Sequence, residues 1–207
     1  MKALLISDVE CPALWDYFRP ERLRGADLII SCGDLKREYL EFLVTMSNKP
    51  VFYVAGNHDT GYIKNPPEGC ECLDDRVVCF RGVRFLGFGG CKRYNLDPYQ
   101  YTEKEMERRI RRAGRQIRKN GGVDVIITHA APTGLGDRSD PAHRGFDCFL
   151  SLMEKQQPAF LVHGHVHMNY DSDIPRQMVY GRTTVVNAYE RYLIEIPENP
   201  SNGLNVQ

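Results

Sequence analysis

The sequence has no long apolar stretch and no excess of charge of either sign. None of its short apolar runs approaches the roughly 20 residues that a membrane-spanning helix needs, and Asp8 and Glu10 end the first run too early for a signal peptide. Lysine plus arginine number 27, as do aspartate plus glutamate, so the overall charge does not favour nucleic acid or an acidic membrane. We therefore expect a cytoplasmic protein with neither partner. The oligomeric state stays open.

Paired cysteine motifs are also missing. The seven cysteines are scattered, and none forms a Cys-x-x-Cys knuckle. An odd number cannot all pair within one chain, and this usage indicates reduced thiols. Cys70 and Cys72 leave a metal or redox pair open, but we favour an ordinary loop.

Internal repeats, low-complexity linkers and sharp changes of composition are absent too. A chain of 207 residues is long enough for one large domain. We expect a single domain over residues 1–197, followed by a flexible tail at 198–207 because that segment is polar and rich in turn-forming residues.

What the sequence does contain is five short apolar runs that each end abruptly in polar residues. They are ALLISDVE, DLIISCGD, VFYVAGNHD, DVIITHA and FLVHGHVH. Their continuous aliphatic content predicts strands buried on both faces. The segments ALWDYFRPERL and REYLEFLVTMS, which can be helical, separate the first three runs, so this order predicts a largely parallel sheet. RVVCFRGVRFLGFGG and RTTVVNAYERYLIEIP predict strand pairs in a second, more antiparallel sheet.

The clearest helix begins at Thr102, which forms a capping box with Glu105, and it ends at Gly121 and Gly122. One face carries an apolar stripe. The other faces are rich in cations, namely Arg108, Arg109, Arg111, Arg112, Arg115, Arg118 and Lys119. We interpret them as a solvated surface, with contact to nucleic acid or phosphate as the alternative.

Side chains that can bind metal follow all five predicted strands. They are Asp8 and Glu10, Asp34, Asn57 with His58 and Asp59, His129, and His165 with His167. Such residues meet beyond the carboxyl ends of the strands of an open α/β sheet. Mixed carboxylate, amide and imidazole donors suit manganese, iron(II), zinc or magnesium. The donors outnumber the needs of one ion, so we expect two ions about 3.5–4 Å apart that share a carboxylate.

The stretches SDVE, CGD, AGNHD, THAAP and GHVH have the order and spacing of the calcineurin-like metallophosphoesterases, which the sequence resembles from Met1 to Asn169. The segment THAAPTGLGDRSDPAHRGFD resembles the small phosphodiesterase-like members of that family. The resemblance implies an α/β fold, a four-layer αββα sandwich of two mixed sheets flanked by helices. It also implies a metal-dependent phosphohydrolase, and specifically a phosphodiesterase, that acts on a small phosphoester.

The resemblance further implies a role for each residue of the site. The ligands are Asp8 and His167 for the first ion, Asp34 as the bridge, and Asn57, His129 and His165 for the second ion. His58 would act on the leaving group as a general acid or contact the phosphate, and Asn57 would also face the substrate. A hydroxide between the ions would attack phosphorus in line. His163 points to the opposite side of an extended strand, so we interpret it as packing or as support for the ligands.

Two positions depart from the family pattern. Glu10 replaces a histidine, and as a ligand it would favour Mn²⁺ over zinc because carboxylate oxygen is the harder donor. The alternative is that Glu10 turns away and leaves the first site weak. Arg37 stands where many relatives have an aspartate that orients the catalytic histidine, so another acid must serve or His58 is less well placed. In the loop DPAHRGFD, His143 and Arg144 are candidate substrate contacts, and a plain surface loop is the alternative.

Two other functions stay open. A non-catalytic scaffold of this fold would be expected to lose the catalytic histidine, whereas His58 stands in an intact GNHD. A nuclease could use the arginine-rich helix, but zero net charge and short length argue against it. Salt-dependent binding of DNA would revive that alternative. The fold alone does not decide between these functions.

Overall fold

The computed structural model describes residues 1–169 and 175–198. Its strands are β1 (Lys2–Ser7), β2 (Leu28–Ser31), β3 (Val51–Tyr53), β4 (Glu71–Cys72), β5 (Val77–Phe80), β6 (Val83–Phe88), β7 (Cys91–Lys92), β8 (Gln100–Tyr101), β9 (Val125–Thr128), β10 (Phe160–His163), β11 (Gln177–Tyr180), β12 (Thr183–Asn187) and β13 (Glu190–Glu195). Its α-helices are α1 (Arg37–Ser47), α2 (Glu103–Lys119) and α3 (Asp147–Gln156). Short 3₁₀ turns lie at Pro12–Leu14, Pro20–Leu23 and Thr60–Ile63.

The strands form two large sheets and one small pair. The first sheet has the order β13-β1-β2-β3-β4, in which β1 to β4 are parallel and β13 is antiparallel to β1. The second has the order β11-β12-β10-β9-β6-β5, with four parallel central strands and an antiparallel strand at each edge. Strands β7 and β8 pair beside them.

Three apolar cores separate four layers. The inner core lies between the sheets and includes Leu5 and Phe85. Helices α2 and α3 cover the outer face of the second sheet, where Phe149 is fully buried. Helix α1 covers the outer face of the first sheet through residues such as Leu40. The predicted four-layer αββα sandwich is therefore confirmed.

The division of strands between the sheets differs from the prediction. The first three apolar runs form β1, β2 and β3 of the first sheet, but the last two form β9 and β10 of the second. The late segment RTTVVNAYERYLIEIP gives β12 and β13, which join different sheets. Glu190, the first residue of β13, has a φ of 60°. Two of the five strand pairings in the second sheet are antiparallel, against one of four in the first, so the prediction of a more antiparallel second sheet is confirmed. The two late strands β12 and β13, however, do not pair with each other as predicted.

Helices α1 and α2 follow their local signals, whereas the other helical segments do not. The backbone N–H of Thr102 donates to Glu105 Oε2 at 2.7 Å, and the Thr102 hydroxyl accepts from the N–H of Glu105, so the predicted capping box is confirmed. The segment REYLEFLVTMS forms α1. The segment ALWDYFRPERL gives two short 3₁₀ turns instead of a helix, because Pro20 lacks an N–H and restricts Arg19 to extended backbone. Helix α3 was not predicted.

The basic side of α2 has one member that does not face solvent. Arg109 is 8% exposed, and it forms ion pairs with Asp74 at 3.0 Å and Asp75 at 2.9 Å. It also donates to the carbonyl oxygen of Gly89 at 2.7 Å and lies over the ring of Tyr101. The other six cations that were predicted to form this surface are exposed. The interpretation as solvated surface therefore agrees with six of them, and for Arg109 it was wrong.

All seven cysteines lie within the described residues, and all are free thiols. Burial raises the pKa of the Cys70 thiol to about 12 and also raises the pKa of Cys72. Both thiols therefore stay protonated at neutral pH, which disfavours the metal or redox pair.

Within residues 1–169 and 175–198, no helix is both long enough and apolar enough to cross a membrane. Residues 199–207 of the predicted flexible tail lie outside the described residues. The division into one domain and a tail stays a prediction.

Candidate metal centre

The carboxyl ends of β1, β2 and β3 face those of β9 and β10 at one edge of the sandwich. The backbone N–H of His165, beyond β10, donates to the Asp8 carboxylate beyond β1 at 2.9 Å. The N–H of Asp8 in turn donates to the carbonyl oxygen of Gly33 beyond β2 at 3.1 Å. These bonds bring ligand-bearing loops from both sheets into one site.

The site is built with unusual backbone conformations. Asp8, Asp34 and His165 have positive φ angles of 67°, 55° and 67°. Such conformations cost on the order of 1–3 kcal/mol each and concentrate at functional sites. A Cβ atom at Gly56 would collide with the Asp34 carboxylate, and one at Gly164 would collide with the Ser7 hydroxyl. Glycine at these two positions is therefore what allows the loops to approach so closely.

Asp34, His129 and His165 form the centre of the site. One ligand atom from each lies within 4.8 Å of the others. His129 Nε2 is 3.3 Å from Asp34 Oδ2 and 3.0 Å from Asn57 Oδ1. Carboxylate, amide and imidazole donors thus converge as metal coordination requires.

Hydrogen bonds orient both imidazoles of this cluster. His129 is fully buried, and its Nδ1 donates to the carbonyl oxygen of Cys32 at 2.7 Å, which leaves Nε2 for a ligand. His165 Nε2 donates to the carbonyl oxygen of Ala142 at 2.7 Å, which leaves Nδ1. Backbone partners of this kind fix the ring orientation and the tautomer of metal-ligating histidines.

Asp8 and His167 form the second part of the site. The Asp8 carboxylate is fully buried, and it accepts from the Ser7 hydroxyl at 2.5 Å and from the N–H of His165. His167 Nε2 lies 3.9 Å from Asp8 Oδ1, and its half-buried ring packs against that of Tyr189. The structure therefore brings together the two residues expected at the first ion.

The protonation states of the ligands reflect the excess of buried negative charge at the site. Burial raises the pKa of Asp8 to about 6. Burial alone would also raise the pKa of Asp34, but the neighbouring His129 and the N–H of His58 hold it well below its usual range. Burial alone would lower the pKa of His129, whereas Asp34 raises it to about 9. In the ion-free protein the proton on His129 thus offsets part of the charge of two buried carboxylates.

This arrangement fits a divalent cation. Burial lowers the pKa of His165 to about 3, so its imidazole is neutral and able to ligate. Two buried carboxylates face one imidazolium, and a bound cation would satisfy both while displacing the proton. The donor set agrees with that of a borderline-to-hard metal ion.

Glu10 lies beside the cluster rather than in it. Its Oε1 accepts from the backbone N–H of Lys36 at 3.0 Å, and its Oε2 is 4.0 Å from Lys36 Nζ. Glu10 lines a side groove of about 420 Å³, together with Asp34, Leu35, Lys36, Arg37, Glu38, His58, Asp59, Gly61, Tyr62 and Asn65. Ligation by Glu10 would require its side chain to leave Lys36, and it stays a prediction.

His58 is exposed, and its backbone N–H donates to Asp34 Oδ1 at 2.8 Å. Asp59, expected among the potential ligands, is buried and accepts from the N–H groups of Asp34 at 2.8 Å and Gly56 at 2.7 Å. It therefore ties the loops after β2 and β3 together. Arg37 forms an ion pair with Glu41 at 3.1 Å and lines the side groove near His58.

The central cavity has a volume of about 450 Å³. Its lining comprises Asp8, Asp34, Asn57, His58, Tyr94, Ala142, His143, His165 and His167. The loop after β9 thus brings His143 to the cavity, with its ring 5.0 Å from that of His165. Arg144 is exposed and donates to the carbonyl oxygen of Ser139. Its role as a substrate contact stays a prediction.

His163 agrees with its sequence prediction, whereas Tyr94 is a site residue that the sequence did not predict. His163 is 1% exposed and packs beneath Gly136, in agreement with the packing interpretation. Tyr94 lines the central cavity but was not predicted. The sequence offered only an aromatic residue shortly after the glycine-rich end of β6, and such a signal does not distinguish a site from a surface loop.

Comparisons with known proteins agree with this geometry. The sequence profile described as calcineurin-like phosphoesterase matches residues 1–169. The UPF0046 protein K07C11.7 of Caenorhabditis elegans is 25% identical over 190 residues, which covers 78% of this chain and 62% of that protein. The chain therefore spans less than two thirds of that relative's length.

A solved structure shares the fold. The crystal structure of TT1561 of Thermus thermophilus superposes with a TM-score of 0.58 at 14% identity, and the match covers 91% of this chain and 89% of that chain. At this low identity, the match shows that the two chains share an architecture of two sheets with flanking helices, and it does not extend to activity.

Proposed function

The chain belongs to the calcineurin-like phosphoesterase family, and on that premise we propose that it is a phosphodiesterase that uses two divalent metal ions. Family membership supports metal-dependent hydrolysis of phosphoesters. The observation that carries the proposal is the convergence of Asp34, His129 and His165 within 4.8 Å, beside the exposed His58.

The proposed ligands come from five strand ends, and a cation among them would displace the proton of His129. The ligands are Asp8 and His167 for one ion, Asp34 between the ions, and Asn57, His129 and His165 for the other. When bound, divalent ions at such a site supply Lewis acidity, which acidifies water and neutralises charge on a phosphoryl group. Mn²⁺ is the ion that we favour, with Fe²⁺, Zn²⁺ and Mg²⁺ as alternatives.

We propose that His58 protonates the departing ester oxygen. Its backbone is fixed by the hydrogen bond to Asp34 at 2.8 Å, while its side chain is exposed and lines both the central cavity and the side groove. An imidazole in that place can give a proton to the leaving oxygen, which is general acid catalysis. Asn57 would contact the phosphoryl group from the same loop.

The shape of the site supports a small diester. The central cavity of about 450 Å³ and the side groove of about 420 Å³ share Asp34 and His58. A monoester has one organic arm, whereas a diester has two, and two adjoining spaces can take one arm each. Both volumes fall in the range of about 300–1,000 Å³ that is usual for small-molecule sites.

The proposed partner is accordingly a small phosphoester, and we propose neither a membrane nor a nucleic-acid partner. The free state of all seven thiols supports a reducing, cytoplasmic setting.

The test is reconstitution of metal-free protein with Mn²⁺, Fe²⁺, Zn²⁺ or Mg²⁺. Each preparation is assayed on bis(p-nitrophenyl) phosphate, p-nitrophenyl phosphate, cyclic nucleotides and DNA, and bound metal is counted by elemental analysis. We expect two ions per chain and a larger kcat/KM for the diester than for the monoester. A fully occupied site with one ion would contradict the dinuclear proposal, and a larger kcat/KM for the monoester would contradict the diester preference.

A further inference from the structure

The connection between β7 and β8 is held firmly at the rim of the central cavity. Gln100 is 4% exposed, and its Oε1 accepts from the backbone N–H groups of Tyr94 at 3.1 Å and Asn95 at 3.0 Å. The guanidinium of Arg93 binds Glu105, in the first turn of α2, at 2.9 Å. The start of this loop is therefore fixed by a buried amide and by a helix terminus.

The fixed loop places the Tyr94 side chain against a proposed ligand. The Tyr94 hydroxyl accepts a hydrogen bond from Asn57 Nδ2 at 3.3 Å. Asn57 is 4% exposed, and its Oδ1 lies 3.0 Å from His129 Nε2. The two ends of the amide thus face different neighbours, the oxygen toward the cluster and the nitrogen toward Tyr94.

The orientation of this amide matters because its two ends have opposite chemistry. The oxygen can ligate a cation, whereas the NH₂ group only donates hydrogen bonds and would repel one. When the oxygen faces the cluster, the buried NH₂ group needs an acceptor, because a buried donor without a partner is unfavourable. The Tyr94 hydroxyl supplies that acceptor.

We infer that Tyr94 is a positioning residue that holds the carbonyl oxygen of Asn57 toward the metal centre, and that Gln100 holds Tyr94 in place. The inference rests on the proposed function for the role of Asn57. Tyr94 acts through Asn57, so its contribution is measured by the affinity of the protein for metal, before any substrate is present.

The first test compares metal-free Tyr94→Phe with the unchanged protein by calorimetric titration with Mn²⁺ alone. Outer partners of metal ligands typically contribute about 10-fold to 100-fold to affinity, and we expect a loss in that range for one of the two ions. The electron paramagnetic resonance spectrum of bound Mn²⁺ should change as well. The melting curve of ion-free Tyr94→Phe is recorded as well, so that a loss of affinity through unfolding is recognised.

Tyr180→Phe is the matched control. The Tyr180 hydroxyl also makes one side-chain hydrogen bond, to Glu154 at 2.6 Å, but it lies on the edge strand β11 and does not line the central cavity. Its removal should leave the affinity for Mn²⁺ unchanged.

A second pair of variants tests the anchor. Gln100→Met removes the oxygen that accepts from Tyr94 and Asn95, and it should weaken the same ion. Gln100→Glu keeps an accepting oxygen in that place, so it should retain more of the affinity than Gln100→Met. If Gln100→Met does not fold, Tyr94→Phe decides the matter alone.

The outcomes separate this inference from the function on which it rests. Unchanged Mn²⁺ affinity in Tyr94→Phe, with normal binding by the parent protein, overturns the role of Tyr94 and leaves the phosphodiesterase proposal intact. If the parent protein binds none of Mn²⁺, Fe²⁺, Zn²⁺ and Mg²⁺, both are overturned.

Discussion

His129 Nδ1 lies 2.7 Å from the carbonyl oxygen of Cys32, and this hydrogen bond joins the two sheets at the metal centre. Cys32 follows β2 in the first sheet, and His129 follows β9 in the second. Because Nδ1 donates to the carbonyl, Nε2 is turned toward Asp34, 3.3 Å away. One bond therefore sets both the tautomer of a proposed ligand and the distance between loops that come from different sheets.

The affinity for metal should rise with pH. The pKa of His129 is raised to about 9 in the ion-free protein by Asp34, so at neutral pH a cation must displace the proton from Nε2. The apparent affinity should rise about tenfold per pH unit from pH 6 toward 9 and then level off. Below about pH 6 the dependence should steepen, because burial raises the pKa of Asp8 to about 6 and a second proton must leave.

Calorimetry of Mn²⁺ binding at pH 6.5, 7.5 and 8.5, in buffers with different ionisation enthalpies, measures both the affinity and the protons released. Release of about one proton per protein chain near pH 7.5 is expected, together with the ion that His129 binds. An affinity that does not change with pH, with no proton release, would show that His129 is already neutral before the ion binds.

Replacement of His58 should separate catalysis from metal binding. We expect His58→Ala to slow hydrolysis by about 100-fold to 10,000-fold, the range of a general acid or base. The metal content should stay the same, because the structure holds His58 to Asp34 through its backbone N–H rather than its side chain. Kinetics combined with elemental analysis check both parts, and loss of metal would identify His58 as a ligand.

Glu10 should influence which metal is preferred. Its salt bridge to the 71% exposed Lys36 side chain is long at 4.0 Å and therefore weak, so the hydrogen bond from the backbone N–H of Lys36 at 3.0 Å is the main contact that movement to an ion would break. Glu10→His should shift preference from Mn²⁺ toward Zn²⁺, because imidazole nitrogen is softer than carboxylate oxygen. It should also move the alkaline rise of the rate to lower pH, since one negative charge fewer makes the attacking water more acidic.

Metal titrations and pH–rate profiles of the parent and Glu10→His test this directly. Lys36→Ala serves as the control, because it removes the ammonium partner of Glu10 while leaving the carboxylate available, and it should keep the preference for Mn²⁺. Identical preference and identical profiles in Glu10→His would mean that Glu10 never leaves Lys36.

The sequence predicts the strand ends well because the signal there is local. Asp8, Asp34 and His129 each follow an apolar run at once or nearly so, and the carboxyl ends of parallel strands meet wherever the strands themselves lie. Features that depend on distant parts of the chain were missed. The contact between Tyr94 and Asn57 joins residues 37 positions apart, and no spacing within either segment reveals it.

The same limit explains the error in sheet assignment. Strands β12 and β13 are adjacent in the chain and similar in composition, yet one pairs with β10 and the other with β1. That choice depends on which sheet edge is open after the rest of the fold has formed. Arg109 was misjudged for a related reason, since its carboxylate partners lie more than 30 residues earlier and nothing in α2 distinguishes it from its exposed neighbours.

Removal of Arg109 should destabilise the fold. Its side chain is 9% exposed and pairs with Asp74, whose carboxylate would be left buried without a counter-charge. Loss of one partner of a buried pair costs about 3–5 kcal/mol, and because Asp74 keeps 21% exposure we expect about 3 kcal/mol for Arg109→Met. Urea unfolding of the metal-free protein measures this. The exposed neighbour Arg112→Met is the control and should stay within about 0.5 kcal/mol of the parent.

A second substitution identifies the cause of that loss. If the unpaired carboxylate is responsible, Asp74→Asn in the Arg109→Met background should recover part of the lost stability, because the amide removes the buried negative charge. Asp74→Asn alone should destabilise, because it leaves Arg109 with only its second partner, Asp75, at 2.9 Å. The Arg109 guanidinium also lies over the ring of Tyr101, 4.4 Å from its centroid, so a double variant no more stable than Arg109→Met would attribute the loss to that packing. Equal stability of Arg109→Met and Arg112→Met would show that the buried network contributes nothing to stability.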